Sequence, residues 1–203
     1  MGMNSNDTSG SLGKDEFKPQ KKVKTYLPTV GKGETGSFIG EPDESWALPG
    51  RKITTLQFDD RKVSVFDVAA YIIKKMGPVS AMKLHKLIYY CQAWSLVWDE
   101  RPLFQEKIEA WANGPVIRDL FVFHRGQFLV TGVSIGNPDS LSEKQIETID
   151  SVLNFYGDKP SQWLIDLTHL ESPWKEARKT LKNNERGNVE ITHESMAEYY
   201  SSL

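Results

Sequence analysis

The run Met82-Lys83-Leu84-His85-Lys86-Leu87-Ile88-Tyr89-Tyr90-Cys91-Gln92-Ala93-Trp94-Ser95-Leu96-Val97-Trp98 limits this chain's fold more than any other stretch. Leu84, Leu87, Ile88, Cys91, Trp94 and Trp98 recur at steps of three and four, the period of one helix face, and Tyr90, Ala93, Leu96 and Val97 make the remaining circumference apolar as well. A helix without a polar face has to lie inside a globule. It is too short and too aromatic for a membrane span, and Lys83, Lys86 and Asp99 stand too close. The other elements are therefore expected to wrap around a central core helix.

The flanking sequence supplies those elements. Ser64-x-x-Asp67 reads as a capping box opening a helix whose Val65, Val68, Ala69, Ile72, Ile73 and Met76 share a face, and Gly77-Pro78 is its stop. Ser80 offers the N-cap of the central helix. Beyond the Asp99–Pro102 turn, Ile108 to Trp111 alternates as a strand does. Pro115 suits the first turn of a helix running through Val116 to His124, and Phe128 to Val133 is β-prone. Ser142 with Gln145 makes a second capping box, Leu141 and Ile146 a hydrophobic staple, and the helix continues to Gly157. Ser161 starts a helix with Trp163, Leu164, Leu167 and Leu170 inward, Ser172-Pro173 opens one to about Leu181, and Thr192 caps a terminal helix carrying Met196, Tyr199 and Tyr200. The expected class is mainly α with a minor β element, a compact helical domain over residues 63–203.

The first sixty residues have a different texture. Residues 1–20 are mostly small and polar, a composition that does not offset the entropy of ordering, and are expected to form a disordered tail. Lys18, Lys21, Lys22 and Lys24 could touch RNA or an acidic partner, although a solvated cluster is the plainer reading. Residues 21–62 are expected to form a loop- and strand-rich arm in which Phe38 and Trp46 either pin the arm to the main domain or contact another protein. A net charge of −2 argues against a protein devoted to nucleic acid, and the apolar central helix is a poor DNA-reading element. One cysteine excludes an internal disulfide, and no signal-peptide pattern or apolar run of membrane length is present, which gives a cytoplasmic expectation.

A search for chemistry ends without a constellation. His85, His124, His169 and His193 lie far apart with no metal-helix spacing, and Cys91 and His85 lie on different faces of one helix. No Gly-x-Ser-x-Gly, Walker or dinucleotide motif occurs, so no enzyme and no cofactor are expected. Glu106 with Glu109, or Glu171 with Glu176, read as ordinary solvated carboxylates.

Several stretches taken together resemble a known family: Lys83 to Trp94, Pro102-Leu103-Phe104, Ile108-Glu109-Ala110-Trp111 with Asn113-Gly114-Pro115-Val116, Leu141-Ser142, Tyr156-Gly157, and Leu167-Thr168-His169 leading to Pro173-Trp174-Lys175-Glu176-Ala177-Arg178. In that order they are similar to the Panacea domain of SocA-like antitoxins, also called phage-associated proteins, over about residues 63–200. The resemblance implies a helical domain encoded beside a toxin and neutralising it by direct binding. Partners of the family are often translation inhibitors, including small alarmone synthetase-like enzymes that modify tRNA. A namesake relative is instead an adaptor to a AAA+ protease, and a DNA-binding autorepressor is a third, weaker reading. The shared motif positions are mostly apolar or turn-forming, so partner choice falls to exposed residues. His85, Tyr89, Arg118 and Arg125 are expected on that surface, with Phe38 and Trp46 on the arm.

Overall fold

In the computed structural model of the protein, residues 19–21, 62–182 and 185–203 are described. The run read as the central helix is α2, Ala81–Trp98, and its residues from Leu84 to Ser95 are all buried. Around it lie α1 (Val65–Met76), α4 (Glu143–Tyr156), α5 (Ser161–Leu170), α6 (Ser172–Ala177) and α7 (His193–Ser201), with a short α3 (Arg118–Phe123). The β content is two antiparallel pairs. β2 (Ile108–Trp111) forms a hairpin with β3 (Gly114–Ile117), and β1 (Val79–Ser80) pairs with β4 (Leu129–Val130). Helix α2 packs directly on α1, α4, α5, α7 and β3.

Local chemistry explains where these elements begin. Both capping boxes form, Ser64 with Asp67 and Ser142 with Gln145, and Thr192 caps α7 through the Ser195 amide. Asp67 does a second task by accepting the Asn137 amide at 2.7 Å, which ties the loop before α4 to the start of α1. Gly77 ends α1 with φ +76°, a backbone region that favours glycine. Lys83 donates to the Gly157 carbonyl at 2.6 Å, a cation placed on the negative end of α4. Gln92 satisfies the loop after α2 from inside the core: its carbonyl accepts the Leu103 and Phe104 amides, and its amide donates to the Phe104 carbonyl and to His193.

Three expectations are corrected. Pro115 lies in strand β3, and the helix begins only at Arg118. The reason is in the ladder: the Ala110 amide, opposite Pro115, donates away from the hairpin to the Val189 carbonyl, so proline's missing N–H costs no pairing there. Leu170 is 69% exposed instead of inward-facing. The helix opened by Ser172-Pro173 ends at Ala177, where the Arg178 guanidinium turns inward to the Ala110 carbonyl.

Pro19 is buried, and Lys21 meets Asp99, the C-cap of α2, which also accepts from Thr148 and faces Lys144 at 3.5 Å. Phe38 and Trp46 lie outside the described residues, as does nearly all of the 1–20 tail and the 21–62 arm.

Candidate functional site

Two regions of α2 concentrate polar chemistry. Toward its middle and C-terminal half, Tyr89, Tyr90 and Trp94 meet Tyr156 of α4 and Tyr200 of α7. Tyr90 and Tyr156 stack at 4.1 Å, and Trp94 donates to the Tyr156 hydroxyl at 3.4 Å. At the centre is Glu171, between α5 and α6 and only 3% exposed, which corrects its reading as a solvated carboxylate. Tyr200 donates to it at 2.6 Å and Tyr90 at 3.3 Å, while the Tyr89 and Tyr200 hydroxyls are 3.2 Å apart. Burial pushes its carboxyl up to about 8, against the opposing pull of the two hydroxyls. Every member of this network is buried, with no residue more than 3% exposed.

Lys86 is buried one turn earlier. Its ammonium donates to the Pro115 carbonyl at 3.0 Å, and burial draws it down to about 7. It packs against Gly114, whose φ is +95°, so closely that a Cβ there would meet Lys86 Cε at 2.5 Å and Thr168 Oγ1 at 2.9 Å. The hairpin turn is held from its other side by Trp174, which donates to the Trp111 carbonyl at 2.9 Å and stacks on His169 at 4.0 Å. The motifs spread over Lys83–Trp94, Asn113–Val116 and Leu167–Arg178 thus converge on one structural junction.

The second region is open. A groove of about 690 Å³ runs between the first turns of α2, the β2–β3 hairpin, α3 and residues 186–188. Trp111 and Phe121 form one wall, edge to face at 4.9 Å. Arg118, Arg125 and Arg186 line it, and among the described residues Glu109 is the one carboxylate beside them. That carboxylate accepts the Trp111 indole N–H at 2.7 Å and reaches Arg118 only at 3.9 Å. At the base His85 and His124 meet, Nε2 to Nε2, at 2.9 Å. The Ile117 amide donates to His85 Nδ1 at 3.2 Å, so neutral His85 carries its proton on Nε2 and donates to His124. Burial holds both imidazoles below their usual range. A protonated Nε2 on His85 is a poor metal ligand, and among the described residues no group of three or more His, Cys, Asp or Glu could hold a metal ion.

The structure therefore brings three of the expected surface residues together. Arg118 and Arg125 are exposed and line the groove, whereas His85 reaches its base but is only 2% exposed, which corrects its expected place on the surface: the β2–β3 hairpin and His124 cover it. Tyr89 is fully buried among the tyrosines, which corrects its expected exposure: the side of α2 that looked uncrowded in sequence is covered by α7. The pairing of His85 with His124, and the places of Trp111, Phe121 and Arg186, come only from tertiary structure. Glu106, weighed as an acid or base, accepts the Val65 amide at 3.1 Å, and Glu176 sits near Lys179 at 3.8 Å. Cys91 is buried and burial pushes its thiol up, so it is no nucleophile. Among the described residues no helix is long and apolar enough to cross a membrane.

Residues 84–175 match the family model described as "Antitoxin SocA-like, Panacea domain". That description names an antitoxin and no enzymatic activity, and the matched segment contains the hairpin, both histidines of the groove base and Glu171. No curated protein and no solved structure matches the chain.

Proposed function

We propose, with residues 84–175 taken as a SocA-like Panacea domain, that this protein is the antitoxin of a toxin–antitoxin pair and neutralises its toxin by direct binding in the cytoplasm. The family match carries this reading. The architecture supports a binding role: the polar cluster around Glu171 is sealed, whereas the groove is open and its arginines exceed its carboxylates. Arg118, Arg125 and the groove base formed by His85 are the proposed contact residues, and Phe38 and Trp46 are proposed to add contacts from the arm. The toxin is proposed to be a translation inhibitor encoded nearby, of the small alarmone synthetase-like, tRNA-modifying kind. Neutralisation by binding requires occlusion of the toxin's site or selection of an inactive conformation.

The test is co-expression with the product of the neighbouring open reading frame, followed by growth measurement and copurification. Rescue with a stable complex is the expected outcome. Rescue accompanied by disappearance of the toxin would replace direct inhibition by delivery to a AAA+ protease. A neighbour without toxicity would remove the antitoxin reading.

A further inference from the structure

The chemistry of the groove specifies what kind of surface it accepts. Three guanidinium groups line it against one carboxylate, in a chain whose net charge is −2. Arg125 and Arg186 have no carboxylate partner among the described residues, and Glu109 is already engaged by Trp111. The neutral histidines at the base add no charge. Arginine's planar fork matches carboxylates and phosphates alike in a two-bond geometry, so these guanidiniums select an anionic ligand, and the apolar surface beside them decides between the two. The walls are apolar, and the apolar character continues outward: Val122 on the groove and Phe128 just beyond Gln127 are exposed, Phe128 to 85%.

We propose that this groove receives an acidic segment of the toxin polypeptide, whose carboxylates are forked by Arg118, Arg125 and Arg186 while one of its apolar side chains enters against Trp111 and Phe121. The identity of the partner rests on the antitoxin reading; the acidic and apolar character of the segment rests on the groove. A nucleic acid fits less well. Phosphate backbones are held by larger sets of cations, no lysine among the described residues lines the groove, and exposed Phe128 and Val122 gain more from burial against a polypeptide than against phosphates. The volume of about 690 Å³ suits a few side chains of an inserted segment.

The experiment uses the full chain and the double variant R118E/R125E, with K74E/K179E as a control away from the groove lining. Its first arm measures binding of a fluorescent Glu–Tyr copolymer; its second measures affinity for the neighbouring toxin and growth rescue. Wild type and control should bind the copolymer, and R118E/R125E should bind at least about tenfold more weakly at an unchanged melting temperature. Toxin affinity should fall about a hundredfold in the same variant and recover when an acidic residue of the toxin is changed to arginine. No copolymer binding, or equal binding by both variants, overturns the groove chemistry. Wild-type rescue with toxin affinity unaltered in R118E/R125E overturns the groove as the toxin contact and leaves the antitoxin reading standing. Failure of the wild type to rescue removes the antitoxin reading, and the copolymer arm still decides the groove. A third arm measures binding of bulk tRNA: wild type should show none that R118E/R125E loses, and its loss in that variant with toxin affinity intact would overturn the acidic segment in favour of RNA.

Discussion

The two regions of α2 are finished in opposite ways. Around Tyr89, Tyr90 and Trp94, ionisable and hydroxyl groups are buried and bonded to one another about Glu171. Around Ala81, Met82 and His85, the same helix borders a groove where cations stand exposed with few partners. A buried polar group without a partner costs free energy, whereas an exposed cation does not, so the closed region and the buried His85–His124 pair have to complete their bonding internally and the exposed arginines do not. The difference separates residues that hold the fold from residues free to select a partner.

The sharpest way to strain this contrast is pH. Glu171 has a folded-state value of about 8 against an ordinary 4.5, so between those values the folded state keeps a proton that the unfolded chain releases. Its contribution is fully present below about pH 4.5 and is lost as pH rises toward 8. Lys86, at about 7 against 10.5, works in the other direction: stability returns as pH rises from about 7 toward 10.5. Relative to E171Q, the wild type should lose stability between pH 5 and 8 at up to about 1.4 kcal/mol per pH unit, measured by urea unfolding. Relative to K86M, it should gain stability on the alkaline side. Parallel profiles for wild type and E171Q would mean that Glu171 is not held protonated.

At fixed pH 7, Glu171→Ala should cost about 3 kcal/mol because it strands the Tyr90 and Tyr200 hydroxyls in a cavity. A smaller loss, about 2 kcal/mol, is expected for Gly114→Ala, which forces a positive φ and a clash with Lys86 on the hairpin. Tyr200→Phe keeps the ring and removes one donor, so about 1 kcal/mol should go, read from the same denaturation curves. On the open side, Arg125→Ala should change stability by no more than about 0.5 kcal/mol. A loss at Arg125 as large as that at Tyr200 would erase the distinction between the regions.

Much of the closed region was legible in the sequence and little of its polar content was. The all-round apolar helix, the boxes at Ser64 and Ser142 and the cap at Thr192 are local patterns, and local patterns survive folding. Glu171 and Glu176 look alike in one dimension, yet one is enclosed by α7 and the other is exposed. Lys86 carried a signal that could have been used, a lysine flanked on both sides by core positions of a helix with no polar face. Pro115 misled because a strand can accept proline wherever its partner's amide donates elsewhere, and that depends on residues 189–191, more than seventy positions along the chain. In the groove, Arg118 and Arg125 were expected to be exposed on or just after the helix that follows the central one, and they are exposed there, but His85 meets His124 across 39 positions, and no periodicity encodes that meeting.

The hairpin has one further consequence. Beside β2, the Val189 carbonyl and Ile191 amide take the Ala110 amide and Ile108 carbonyl, and Arg178 takes the Ala110 carbonyl. Beside β3, Lys86 takes the Pro115 carbonyl and His85 the Ile117 amide. Among the described residues these bonds occupy outward main-chain groups on both margins, so an incoming chain gains little there by lying down as an extra strand. For the contact proposed at this corner, recognition is left to side chains, and the shape of a partner's backbone is not prescribed: a loop, a helix end or an extended tail can present the same few groups.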